Sequence, residues 1–181
     1  YNSDEPKPFI DAVLEKRYPI GAYLVENGLE QGAAIGDCVD IFLRDASTAS
    51  KVIGALSTLV HECAHFFDMS DFGSGTADYY ITEELEFSCT GGDKFEYGGN
   101  TFTRDKLMDD DYVSFRPACD SGQNTDCDFY ANTYLTGQTG DQGFSMLMEE
   151  AVQYVNSLAT GYAFYDQMQG SISERDGILT F

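Results

Sequence analysis

Two stretches of the chain repeat apolar residues at helical spacing and set its frame. In the first, Ala49, Val52, Ile53, Leu56, Val60, Cys63 and Phe67 form one stripe within residues 47–69. Ser47 or Thr48 can cap that helix, and no proline interrupts it. In the second, Phe144, Leu147, Met148, Ala151, Val152, Val155, Leu158 and Ala159 form a stripe within residues 143–162. Two shorter helices are predicted upstream. One runs from Phe9 to Arg17, with Phe9, Ile10, Val13 and Leu14 on one side, and Pro19 separates it from the other, Ile20 to Leu29. Gly32 to Asp37 reads as a loop. Val39, Ile41 and Leu43 alternate, which predicts a strand from Val39 to Arg44. A turn followed by a strand is predicted around Tyr79 to Thr82. Residues 83–139 are irregular, with turns at Gly91-Gly92 and Gly98-Gly99 between short strands at Lys94–Tyr97 and Thr101–Thr103. The expected fold class is α+β: two long helices packed together, with a small sheet at their side.

Length and composition make this a folded chain, read as one domain over residues 1–181. Hydrophobic residues are 43% and aromatics 14% of it, enough for a core and too many for a disordered segment. The chain opens on Tyr1 and turns apolar at Ile178 to Phe181, so the expectation is a processed chain whose natural sequence can continue. The net charge of −21 argues against nucleic acid, whose phosphates need clustered Lys and Arg. No apolar run approaches the ~20 residues of a membrane span.

Five cysteines suggest an oxidising, exported setting: secreted, periplasmic or cell-surface. Cys119 and Cys127 bracket a short loop suited to a local disulfide. Cys63 falls on the apolar side of its helix and reads as a buried free thiol. Cys38 and Cys89 then pair by elimination. The acidic run Asp120 to Asp128 offers Asp120, Asn124, Asp126 and Asp128 as oxygen donors for calcium, although a plain acidic loop closed by a disulfide is preferred.

The chemistry lies in His61-Glu62-Cys63-Ala64-His65, which holds both histidines of the chain. Helix positions i and i+4 lie on one face, so two imidazoles can meet one metal ion there. Glu62, about 100° around the helix, can reach a water on that ion without ligating it. This H-E-x-x-H pattern resembles the zincin metallopeptidases. The resemblance implies catalytic zinc, peptide substrates and Glu62 as general base. Metzincins carry a third histidine six residues on; Asp71 stands there, so a carboxylate must complete the site. Gly75-Thr76-Ala77-Asp78 resembles the aspzincin ligand motif, with Asp78 as ligand, but departs from it after the Asp. The later helix offers Glu149 and Glu150, on opposite sides of its stripe. Tyr154, one turn beyond Glu150, favours Glu150 and can donate to an oxyanion. A ligand on a second helix is the gluzincin arrangement. Residues Tyr134–Gly137, Gln142–Phe144 and Leu147–Ala159 also resemble uncharacterised exported bacterial proteins assigned as zinc peptidases by motif, whose glutamate falls on Glu150. The resulting expectation is a zinc peptidase with His61, His65 and Glu150 as ligands and Glu62 and Tyr154 as catalytic groups. The alternative is an inactive zincin-fold protein that binds metal or serves in adhesion.

Overall fold

The computed structural model describes residues 1–68, 76–90 and 143–168. The expected Cys119–Cys127 disulfide, the calcium-suited run and the short strands after Thr90 all lie outside those residues.

The fold is a small α+β arrangement, mostly helical, with one two-stranded sheet. Helix α1 (Lys7–Arg17) and helix α2 (Pro19–Gln31) form a hairpin broken at Tyr18. Pro19 does not disrupt α2 but starts it, because the first turn of a helix needs no N–H from that position. A 3₁₀ turn (Gly32–Ala34) follows, then the short helix α3 (Cys38–Phe42) and the long helix α4 (Ala49–Asp68). Strands β1 (Thr76–Thr82) and β2 (Leu85–Thr90) pair antiparallel, with Tyr79 opposite Phe87 and Tyr80 opposite Glu86. Helix α5 (Gly143–Ala163) closes the described chain.

The strand expected at Val39–Arg44 is instead α3. Asp37 accepts a hydrogen bond from the Asp40 N–H at 3.0 Å and so caps a helical turn. Lys7 holds the same carboxylate in an ion pair and also reaches Asp40 at 3.1 Å. The alternating pattern misled because the three apolar side chains share no face: Val39 is buried while Ile41 is 52% exposed. Strand β2 was not anticipated; its residues fell in a stretch read as irregular.

Helix α4 is the centre of the molecule. Val52, Leu56, Leu59, Val60, Cys63 and Phe67 bury against α1, α2 and α3. Thr48 caps it, its hydroxyl accepting from the Lys51 N–H at 3.3 Å. Helix α2 comes very close: a Cβ built on Gly28 would stand 2.2 Å from the Cys63 carbonyl oxygen. Only glycine permits that approach. Cys63 is bonded to Cys38, Cα to Cα 5.3 Å, which fastens α3 to the motif helix. This corrects the expected free thiol at Cys63 and the expected Cys38–Cys89 pair. The capped turn at Asp37 carries Cys38 inward, where both sulfurs are fully buried.

Helix α5 packs on the remaining face of α4. Its far end is tied to α1 by Arg17, whose guanidinium grips Asp166 at 2.6 and 2.9 Å and lies 5.3 Å from the centre of the Phe164 ring. On α5 the apolar stripe is not the buried face: Val155 is 54% exposed and Leu158 41%. Apart from Tyr154, the buried described positions are Glu149, Gln153, Asn156, Ser157 and Thr160. These polar residues recur at i, i+4, i+7, i+8 and i+11, so α5 turns a polar stripe toward the histidine face of α4.

Candidate metal centre

A helix that buries polar side chains must satisfy them, because an unpaired buried polar group costs roughly 1–3 kcal/mol. Most of the inward groups of α5 find partners in or around the two histidines. His61 and His65 are both buried, and their rings meet edge to face with centres 4.7 Å apart. His61 Nδ1 lies 3.2 Å from Ser157 Oγ, whose hydroxyl donates to the Ser57 carbonyl at 3.2 Å. His65 Nδ1 lies 2.8 Å from Glu149 Oε1. With both Nδ1 atoms engaged on α5, both Nε2 atoms point into one spot, 3.1 Å apart.

Glu150 completes that spot. Its Oε2 lies 3.5 Å from His61 Nε2 and 3.6 Å from His65 Nε2, and these three groups all fall within 4.8 Å of one another. That oxygen is buried and, among the described residues, lacks a hydrogen-bond partner. The triangle has the size of a tetrahedral zinc face: ligand bonds of about 2.0–2.1 Å place neighbouring donor atoms about 3.4 Å apart. Two imidazole nitrogens and one carboxylate oxygen are also the donor set that zinc takes in open catalytic sites. The residues therefore fit the ion.

The electrostatics point the same way. Burial pushes the His65 imidazole down, but hydrogen bonds and charge from Glu149 and Glu150 outweigh it and push its pKa up to about 10. Burial pushes Glu150 up, and the two histidines overcome it, bringing its pKa down to about 2. A protonated His65 can donate from Nδ1 to Glu149 and from Nε2 to His61. Positive charge thus sits where a metal cation would.

The other sequence candidates are placed differently. Glu149 does not join the three converging donors; it backs His65 from the far side. Asp78 is buried on β1 and its carboxylate also stands outside the cluster. Tyr154 is buried with its ring edge to face on His61, centres 4.9 Å apart. Glu62 is half-buried and outside the cluster. It lines a groove of about 590 Å³ along α4 with Thr58, Ala55, Lys51 and Arg44.

Sequence reasoning missed Ser157, Gln153 and Asp68. The polar positions of α5 at helical spacing were a usable signal, masked by the apolar stripe beside them. Asp68 is buried at the end of α4, and burial and the negative charge of Glu149 raise its carboxyl pKa.

The chain matches no protein-family model, and no curated protein or solved structure is significantly similar to it.

Proposed function

We propose that this chain is an exported zinc metallopeptidase of the zincin type, with His61, His65 and Glu150 holding the metal. The observation that carries the reading is the convergence of His61 Nε2, His65 Nε2 and the unpartnered, buried Glu150 Oε2 on one point. The placement of the two ligand-bearing helices side by side supports the gluzincin form of it. The Cys38–Cys63 disulfide supports the exported setting.

Zinc at such a site supplies Lewis acidity and brings the pKa of a water to about 7. The protein's own groups do the rest. Ser157 and Glu149 hold the imidazoles by Nδ1 and leave each Nε2 free to ligate. Glu62 takes the proton of the attacking water and returns it to the leaving nitrogen. The Tyr154 phenol donates to the oxyanion of the substrate carbonyl.

A second reading, metal binding without hydrolysis, draws on the place of Glu62 outside the cluster. The two readings separate on three purified proteins. Elemental analysis after dialysis is expected to find one zinc per wild-type chain and none in Glu150→Ala. Glu62→Gln should keep its zinc and lose peptide hydrolysis by at least about 100-fold. A wild type that takes up no zinc when zinc is offered removes both readings. Zinc binding with no hydrolysis of any peptide in a broad library leaves the second. A Glu150→Ala protein that binds zinc as tightly as its parent transfers the third ligand to Asp78.

A further inference from the structure

Behind Glu149 lies a buried polar array that the proposed reaction does not use. Gln153, one turn on along α5, is completely buried. Its Nε2 lies 2.8 Å from Asp68 Oδ2 and 3.2 Å from Glu149 Oε1, so both of its amide protons are spent on carboxylates. Its Oε1 accepts from Asn156 Nδ2 at 2.9 Å. Asn156 Oδ1 in turn accepts from the Tyr18 hydroxyl at 3.1 Å, a contact from the α1–α2 hairpin. Asp68 Oδ1 accepts from the Tyr80 N–H of β1 at 3.2 Å.

The amide can stand only one way round. Reversed, its carbonyl would face the Glu149 carboxylate and its NH₂ the Asn156 NH₂, and both pairs would repel. Glu149 Oε1 is thereby fixed from two directions, by Gln153 on its own helix and by His65 Nδ1 on α4. A carboxylate so held cannot swing away from the imidazole, and the imidazole cannot rotate about its own axis. The amide joins α4 to α5 directly, and through Asp68 and Asn156 it is linked one bond further on to β1 and to Tyr18.

Resting on the metal-site reading above, we infer that Gln153 is a positioning residue for His65: its amide clamps Glu149 against Nδ1 and aims Nε2 at the metal. Gln153 touches neither ligand atom nor substrate and acts only through Glu149. A group that bonds the far nitrogen of a ligating histidine, as Glu149 does, typically governs ten- to hundredfold in metal affinity, and Gln153 acts through that group.

The test is Gln153→Met, which keeps side-chain length and helix preference and removes both donors. Zinc affinity is read by competition with a chromophoric chelator, and folding by circular dichroism. The expected result is a folded variant whose zinc Kd rises ten- to hundredfold. In zinc-loaded, nitrogen-15-labelled wild type, the His65 Nδ1 proton and both Gln153 amide protons should be shifted by hydrogen bonding and protected from exchange. The His65 proton should lose that protection in the variant. A folded variant with unchanged Kd and an unchanged His65 proton overturns the inference and leaves the zinc site standing. A wild type that binds no zinc overturns the site and the inference together. If Gln153→Met does not fold, the wild-type spectrum decides, because unprotected Gln153 amide protons contradict the clamp.

Discussion

His65 is held between opposed forces, and that makes it the most informative single residue. Its burial favours the neutral ring, and its two carboxylate neighbours favour the charged one, with the carboxylates prevailing. The folded pKa of about 10 stands above the ordinary value of 6.5, so the ring contributes stability that is complete below pH 6.5 and is lost as pH rises through 10. Glu150 has the opposite sign. Its folded pKa of about 2 lies below 4.5, so its contribution is complete above pH 4.5 and is lost as pH falls through 2. Asp68 adds to the alkaline loss, because its raised carboxyl pKa favours the folded state only while it is protonated, so metal-free protein should be most stable near about pH 4.5 and weaken steadily toward pH 10. Urea midpoints measured across that range, in the presence of a chelator, check the alkaline slope. Glu149→Gln should flatten it, since the largest partner holding the proton is gone. Parallel slopes in the two proteins would assign the loss to other groups. Saturating zinc should remove the His65 share of this slope, because a ligating His65 is neutral at every pH in the window.

At the scale of elements, α4 is gripped on all sides, and its disulfide is the grip easiest to remove. Cys38 and Cys63 are separated by 25 residues. Closing a loop of that size restricts the unfolded chain by about 3.5 kcal/mol on the entropic account. The double variant Cys38→Ala/Cys63→Ala should lose about that much by urea denaturation, and peptide mapping of the unreduced parent should find the two cysteines linked. The pairing itself was not legible in the sequence, since spacing alone does not fix connectivity. Elimination failed because Cys63 was placed by its helix face, and an apolar face suits a buried thiol and a buried disulfide equally. The helices α1, α2, α4 and α5 were legible, because each repeats apolar residues at 3.6 and has a proline, a cap or a glycine near its boundary. Helix α3 was not: in so short a run the cap at Asp37 outweighs an alternating pattern. The histidines of the site could be read directly, both being on one helix. The helical wheel alone leaves Glu149 and Glu150 open, because that choice depends on how α5 is rotated against α4, and it is Tyr154, one turn beyond Glu150, that favours Glu150. The sequence suggests that rotation by its apolar stripe, and the fold follows the polar one. Burying Glu149, Gln153, Asn156 and Ser157 is costly as stability alone, and it makes sense where the groups are needed to hold two imidazoles.

The whole molecule carries 31 acidic and 10 basic residues. Several of its cations are already matched locally: Lys7 to Asp37 and Asp40, Arg17 to Asp166, and Lys51 to Asp45 at 2.5 Å. These pairs are at or near the surface, where solvent and salt screen them. What remains is an excess of carboxylates that repel one another. Among the described residues, Asp11, Glu15, Glu26, Glu83 and Glu84 line a cleft where α1, α2 and the β1–β2 turn meet. Folding gathers these charges, and salt relieves the cost, since the screening length falls from about 30 Å at 0.01 M to about 3 Å at 1 M. Among the described residues no helix is long and apolar enough to cross a membrane. Two effects of sodium chloride can therefore be separated. The thermal midpoint of the metal-free protein at pH 7 should rise between 0.01 and 0.5 M, because diffuse repulsion is screened more than the buried His65–Glu149 contact. The association rate for zinc should fall over the same range, because the negative field that draws a divalent cation toward the site is weakened. A midpoint that falls with salt would mean that the local ion pairs outweigh the net charge. A zinc on-rate indifferent to salt would mean that the field of the molecule does not reach the entrance to the site.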